Sequence, residues 1–502
     1  MIKDIDTLKL IMGLKVQQLR KEQGLSYQQL SDKTGLAISY LHNIEKGKRY
    51  PKADKILLLA KAFDVDYNYL VSVDSNKKLQ PVIDLLTSDL LQLFPLETFG
   101  ISPQKVIELL SETPDKVNAF ISTVIKIVRN YDMQGEDFYK IALRSYQDMH
   151  DNYLTDLEKA AQQFRKEHPS LPIKITGPDT IEQILFSEYG ISIDRTYLKS
   201  KPELRSIRSH YVPELKKLYL NTNLDRAQET NVLAMELGFQ YLKVEERPFT
   251  IRMIDVDSFE KLLNNYRAAY FAAALQLDEG EMINIIHQMS KWSKWDPEQF
   301  CALLSEFNVT SEVLLQRLAN IFPHHFGIEN IFFLRFYTGP RPGKFEMTKE
   351  MHLSQLHNPH ANQLDEHYCR RWVSLTSIND VRAAIKQNPT DSPTIAEAQV
   401  SHYYADKRSY FCIALAKQSH DVPENTTSVT IGLLMTEKLK KLFPFLNDSS
   451  VKRQNVHTTC ERCAIKDCGE RVIAPVHLDL KERQEEIKGI LEELKEVKEE
   501  VV

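Results

Sequence analysis

The sequence predicts a multidomain protein, mainly α with α+β. Its expected order is an N-terminal helix-turn-helix, a helical spacer, an α+β domain, a C-terminal α+β domain with an antiparallel sheet, and a terminal helix. Three observations carry this expectation. At 502 residues the chain is too long for a single core. Apolar residues recur at helical spacing to about residue 168 and then give way to short β-prone runs, most frequent after residue 330. Charge is segregated as well: residues 1–78 carry 14 Lys and Arg against 9 Asp and Glu, although the whole chain has a net charge of -5.

Composition narrows the class before any motif is read. Hydrophobic residues are 42% and charged ones 26%, as in soluble globular proteins. No apolar run reaches the roughly 18 residues of a membrane span. The start, "MIKDIDTLKL", has acids where a signal peptide is basic and then apolar. A cytoplasmic protein without a membrane partner is expected. Six cysteines are too few for a disulfide scaffold, but three fall within nine residues, which points to metal.

The first domain is expected over 1–72. "SYQQL" offers Ser26 as helix N-cap with Gln29 three residues on, a capping box. "TGLA" supplies Gly35 for a tight turn, and "ISYLHNIEKGKRYP" gives a helix stopped by Gly47 and Pro51. Short helices near 54–63 and 66–70 close the bundle. Leu30, Leu36, Leu41 and Ile44 form the apolar stripe that a helix-turn-helix needs. Ala37, Ile38, Ser39, Tyr40 and Asn43 are then left outward, where side chains reach base edges. Tyr27, Gln28, Lys46, Lys48 and Arg49 suit phosphate oxygens of double-stranded DNA. The run "LRKEQGLSYQQLSDKTGLAISYLHNIEKGKRYPK" resembles the lambda-repressor-type (Xre) helix-turn-helix family, in which Gln often stands where this chain has Tyr27. One such module recognises half of a two-fold site, which implies a homodimer.

Residues 80–168 read as a helical spacer. Over 171–325, "LPIKITG", "YGISI" and "KLYLN" are β-prone and precede two apolar helices, "LAMELGFQYL" and "NNYRAAYFAAALQL". The first resembles the zinc helix of a metalloprotease with both histidines replaced. Met235 and Phe239 stand at the ligand positions, one turn apart, and Glu236 keeps the place of the general base. Neither replacement offers an imidazole nitrogen or carboxylate oxygen. In ImmA/IrrE-type peptidases a later helix supplies a third ligand, whereas this chain has Asn265 and Arg267 in that neighbourhood. A zincin-like domain without its metal site, and no enzyme activity, are therefore expected.

From 326 to 477, "NIFFLRFYT", "RWVSLTS", "SYFCIALAK" and "SVTIGLLM" predict an antiparallel sheet with covering helices. The tail, 478–502, places Leu480, Ile487, Leu494 and Val501 seven apart, with Ile490 and Val497 at the offset of three. That pattern suits either a weak dimer seam or a solvated helix. Cys460, Cys463 and Cys468 are spaced C-x2-C-x4-C, which fits zinc or an iron-sulfur cluster. His352, His357, His360 and His367 match no closed zinc site and read as solvated, while Cys301 and Cys412 read as core residues.

The combination of Xre-type module, helical spacer, peptidase-like domain and cysteine cluster resembles the short-chain fatty acyl-CoA regulators. These bacterial transcription factors include the glyoxylate and propionate/methylcitrate regulators of actinobacteria. The resemblance runs to about residue 477. It implies that the peptidase-like domain binds CoA or acyl-CoA as effector, with Lys216, Lys217, Tyr266, Arg267 and Tyr270 as candidate ligand contacts. It also implies a [4Fe-4S] cluster, zinc being the alternative, since Asp467 and Arg471 match the family's cysteine run as well. Cys369 in "YCRRW" corresponds to the family's C-P-x-W segment and is the candidate fourth ligand, with His457 the runner-up. The competing expectations are a regulatory protease and a repressor or antitoxin acting through protein partners.

Overall fold

The computed structural model describes residues 5–72, 98, 135–251, 257–338, 343–352, 366–389, 392–404, 407–420 and 424–499. Apart from residue 98, the spacer helices expected over 80–134 lie outside the described residues, as do His357, His360 and Val501. The chain divides into two units, Met1–Leu143 with Asp255–Phe259, and Arg144–Ile254 with Glu260–Val502.

The first unit contains α1 (Ile5–Glu22), α2 (Tyr27–Thr34), α3 (Ile38–Glu45), α4 (Ala53–Phe63) and α5 (Tyr67–Val71). The capping box forms as expected: the Ser26 hydroxyl accepts from the Gln29 amide, and the Gln29 side chain accepts from the Ser26 amide. Gly35 ends α2 at φ +68°, a left-handed conformation that glycine adopts without strain. Leu30, Leu36, Leu41 and Ile44 are buried together with Val16, Leu59 and Phe63. Lys15 is fully buried, and its ammonium donates to the carbonyls of Tyr69 (2.6 Å) and Ser72 (2.8 Å) at the end of α5. A cation placed against terminal helix carbonyls satisfies both partners and ties α1 to α5.

Helix α6 (Gly135–Met149) spans the unit boundary, and α7 (Thr155–Glu167) belongs to the second unit. The spacer expectation needs correcting here, because α7 is pinned inside that unit rather than leading up to it. Glu158 is 4% exposed and accepts from Arg317, itself fully buried, and from the Tyr270 hydroxyl at 2.6 Å. Next come α8 (Asp179–Tyr189), β1 (Ser192–Asp194), β2 (Ser209–Val212), β3 (Lys217–Leu220), α9 (Arg226–Tyr241), β4 (Thr250–Ile251) and α10 (Phe259–Gln276). The strands pair in the order β1-β3-β2-β4, with β1 parallel to β3 and the other pairs antiparallel. "LPIKITG" forms no strand. The carbonyls of Pro172 and Ile173 accept from the Arg165 guanidinium at 3.1 and 3.0 Å instead of joining a ladder.

Helices α11 (Glu279–Met289), α12 (Pro297–Glu306) and α13 (Ser311–Phe326) lead into the large sheet. Its strands are β5 (Ile331–Thr338), β6 (Glu346–His352), β7 (Ile395–Tyr403), β8 (Arg408–Gln418), β9 (Thr426–Leu434) and β10 (Lys452–Val456), with α14 (Val373–Gln387) between β6 and β7 in sequence and α15 (Glu437–Leu442) before β10. They order as β10-β7-β8-β9-β5-β6, antiparallel except for the β10–β7 pair. Successive residues of β5 face opposite layers. Ile331 and Phe333 join the core with α11, α12 and α13, while Phe332, Leu334 and Phe336 join the core with α14. "RWVSLTS" is thus the start of a helix, not a strand: Ser374, Ile378 and Val381 are buried at helical spacing against the sheet. The tail is α16 (Val476–Glu499), with Leu480, Ile487 and Ile490 exposed. Among the described residues no helix is long and apolar enough to cross a membrane.

Candidate functional site

In the first unit the buried stripe leaves one face of α3 open. Ala37, Ile38 and Ser39 are exposed, and Tyr40 and Asn43 are half-buried. Lys46, Lys48 and Arg49 are exposed just beyond the helix, where the Asn43 carbonyl accepts from the amides of Lys48 (2.9 Å) and Arg49 (3.2 Å). The Arg49 guanidinium lies 5.0 Å from the Tyr40 ring centroid, a cation–π contact that keeps it beside the helix. Gly47, at φ +66°, permits this turn, and a Cβ there would meet the Leu10 side chain at 2.4 Å. Gln28 is exposed. Tyr27 corrects the expectation of a phosphate contact. Its hydroxyl donates to buried Glu45 at 2.7 Å, under the Arg20 guanidinium at 4.1 Å from the ring, and Arg20 itself bonds both Glu45 oxygens. Burial and then Glu45 push the Tyr27 phenol up to about 12.

In the second unit, α9 begins with a capping box made by Asp225 and Gln228. Gly238 lets it approach α10 closely, since a Cβ there would lie 3.1 Å from the Ala268 carbonyl oxygen. Met235, Glu236 and Phe239 are all buried, at 7, 2 and 1% exposure. Arg247, from the loop after α9, donates to both Glu236 oxygens at 2.9 and 2.5 Å, and its guanidinium lies 3.8 Å from the Phe239 ring centroid and 5.1 Å from that of Tyr211. Gln240 also donates to Glu236 at 2.7 Å. A hydrolytic base must be able to take a proton from water. Here both carboxylate oxygens are committed to a buried cation, so Glu236 is an ion-pair partner and Phe239 a π-face for the same cation.

The five candidate effector contacts are not brought together. Tyr266 and Tyr270 are buried at 6 and 1% exposure, their hydroxyls donating to Asn152 (2.8 Å) and Glu158 (2.6 Å). These are core contacts, which corrects the expectation that the two rings touch the effector. Arg267 pairs with Asp156 at 2.8 Å. Lys216 is exposed at the β2–β3 turn with φ +46°, and Lys217 lies 5.9 Å from the Tyr219 ring. Sequence reasoning missed Arg247, which sits in a loop without periodicity, and the Glu158–Arg317 pair, whose members are 159 residues apart.

Cys369 and Cys460 lie on two segments that hydrogen-bond to each other. Tyr368 bridges Thr459, the Cys369 amide donates to the Thr458 carbonyl (3.1 Å), and the Cys460 amide donates to the His367 carbonyl (2.8 Å). Cys369, Cys460 and Cys463 are buried and Cys468 is half-buried. The His457 amide donates to the Cys369 sulfur at 3.5 Å. Arg471 donates to the carbonyls of Cys460 (3.1 Å), Cys463 (3.1 Å) and Ile465 (2.6 Å), closing the loop. Burial raises the Cys369 thiol to about 11, and neighbouring Cys463 and Cys460 add to the rise. Thiols are soft donors of the kind a thiophilic centre takes, though among the described residues no three Cys, His, Asp or Glu side chains stand close enough to hold a metal. Cys412 is buried in the α14 layer and Cys301 is half-buried against the core, as expected. His367 is engaged rather than simply solvated: its amide and ring both bond Glu461.

The class follows from these two parts. Residues 16–70 match the helix-turn-helix family model, and residues 188–319 match that of the IrrE N-terminal-like domain. The helix-turn-helix match and the open face of α3 support a DNA-binding regulator. Among solved structures the chain is similar to a "Mycobacterium tuberculosis transcriptional regulator", at 19% identity and a TM-score of 0.46, covering 66% of this chain and 92% of that one. No curated protein matches the chain.

Proposed function

We propose that the protein is a homodimeric transcription regulator whose operator binding responds to a short-chain acyl-CoA or a related metabolite. The carrying observation is the exposed face of α3, flanked by Lys46, Lys48 and Arg49, on a chain whose peptidase-like helix has its would-be base neutralised by Arg247. The effector would be felt by the second unit, and differential affinity for two dimer geometries would alter DNA affinity. Cys369, Cys460, Cys463 and Cys468 would hold a [4Fe-4S] cluster, with zinc as the alternative. The pairing of segments 366–372 and 457–463 supports this set, because the Cys369 and Cys460 amides both hydrogen-bond across it.

The test uses full-length protein purified without oxygen. Duplexes selected from random sequence are titrated with and without propionyl-CoA, and iron, sulfide and zinc are assayed. Selection of a two-fold repeat whose affinity shifts with propionyl-CoA is the expected result. Absence of any selected sequence sinks the regulator reading, and an affinity indifferent to a series of acyl-CoAs sinks the effector. Metal content unchanged by Cys460→Ser and Cys463→Ser sinks the ligand set.

A further inference from the structure

We infer that the start of α13 binds a single oxyanion group, a phosphate or a carboxylate, between the peptidase-like part and the large sheet of the second unit. A cavity of about 50 Å³ lies there, lined by Thr310, Ser311, Arg208, Arg335 and Lys417 among others. That volume takes one small polar group. Ser311 is only 5% exposed, yet its hydroxyl has no hydrogen-bond partner in the protein. A buried hydroxyl left so is destabilising unless a ligand or water meets it. The Nε of Arg335, on the facing strand β5, is buried and unpartnered too.

The backbone favours the same charge. Thr310 caps α13 by accepting from the Val313 amide at 3.3 Å, which leaves the amides of Ser311 and Glu312 without an acceptor inside this 16-residue helix. Those amides and the helix dipole favour an anion. Side-chain charge is also out of balance. Lys349 and Arg335 pair with Glu312 at 3.0 and 3.3 Å, and Lys417 pairs with Asp225 at 2.8 Å. Burial raises the Glu312 carboxyl, and Lys349, Arg335 and Arg208 outweigh it and hold the group well below the usual carboxylate range. In these pairs three cations thus meet two carboxylates, and a bound oxyanion offsets the excess.

The site does not depend on the acyl-CoA reading, and one experiment separates them. Full-length protein is titrated calorimetrically with inorganic phosphate, with acetate and with propionyl-CoA, at constant ionic strength in chloride. Saturable binding of phosphate or acetate is expected, weakened about tenfold in Arg335→Gln and severalfold in Ser311→Ala. Glu312→Gln, which removes the competing carboxylate, is expected to tighten binding, an effect that damage to the fold would not give. Phosphate bound in preference to acetate marks a phosphate ester as ligand, and the reverse marks a carboxylate. Phosphate binding without propionyl-CoA binding keeps the site and discards the effector. No saturable heat from either small anion overturns the site, as does binding unchanged by all three substitutions.

Discussion

Arg247 meets Glu236 through two hydrogen bonds, 2.9 and 2.5 Å, and stacks 3.8 Å from the Phe239 ring centroid. The pair is nearly sealed, with the side chains 5 and 2% exposed. A carboxylate that a zinc-dependent base would present to water is here satisfied by a fixed organic cation. The chain's own side chains thus provide the positive charge next to Glu236, and the π-face of Phe239 accepts the same charge.

Removing one member of such a pair leaves the other charge buried and alone, which costs about 3–5 kcal/mol. Arg247→Ala is therefore expected to lose stability on that scale. Arg247→Met with Glu236→Gln should recover much of the loss, because no buried charge remains. All three tryptophans, Trp292, Trp295 and Trp372, lie in the second unit, so urea unfolding followed by their fluorescence reads this unit. Equal loss in the single and double variants would show that packing, not charge, sets the effect.

On DNA, Lys48→Ala and Arg49→Ala are expected to weaken binding alike on every sequence and to reduce the salt slope by about 0.9 for each phosphate no longer neutralised. Asn43→Ala and Ser39→Ala are expected instead to relax preference at particular base pairs, by about 1–3 kcal/mol each. Fluorescence anisotropy across a potassium chloride series separates the two kinds of effect. A Lys48 variant with an unchanged slope would remove that residue from the interface.

Tyr27 serves as a control on that division. Its hydroxyl is spent on Glu45, whose other partner is Arg20, so it braces α2 against α3. Tyr27→Phe should lose about 1.5–3 kcal/mol locally, the worth of a hydrogen bond to a charged group. Hydrogen exchange over residues 27–45 is expected to quicken while DNA affinity changes little. A large affinity loss without faster exchange would return Tyr27 to the phosphate-binding set.

Where structure is set by neighbours in sequence, it was legible. Ser26, Gln29 and Gly35 specify the cap and turn of α2 by themselves, and Leu30, Leu36, Leu41 and Ile44 show the period that buries them. "RWVSLTS" misled because seven residues rich in β-formers are too few to show that the helical period continues to Val381. Tyr266 and Tyr270, one turn apart on α10, read equally well as effector contacts or as core. Their hydroxyls are claimed by Asn152 and Glu158, more than 110 residues earlier, which no local pattern reveals. The cysteine spacing showed three thiols, but the approach of Cys369 depends on the Tyr368–Thr459 bridge. Arg247 depends wholly on where its loop returns.

Glu397 on β7 makes stability depend on pH. Burial, and after it Asp380 of α14, push its carboxyl up to about 7, with Thr376 donating at 3.1 Å and Lys452 opposing the rise. The unfolded chain releases this proton near the ordinary value of 4.5, earlier than the folded one. The folded state therefore binds more protons between the two values. Its advantage is complete below about 4.5 and lost as pH rises through about 7. Because the group is partly exposed, solvent screening limits the effect to about 1–2 kcal/mol. Glu397→Gln keeps the Thr376 hydrogen bond and removes the charge, so the variant should gain that amount over the wild type at pH 8 and nothing at pH 4.5. Urea unfolding read by tryptophan fluorescence at both pH values checks this, and a gain equal at the two would assign the effect to packing of the amide rather than to proton binding.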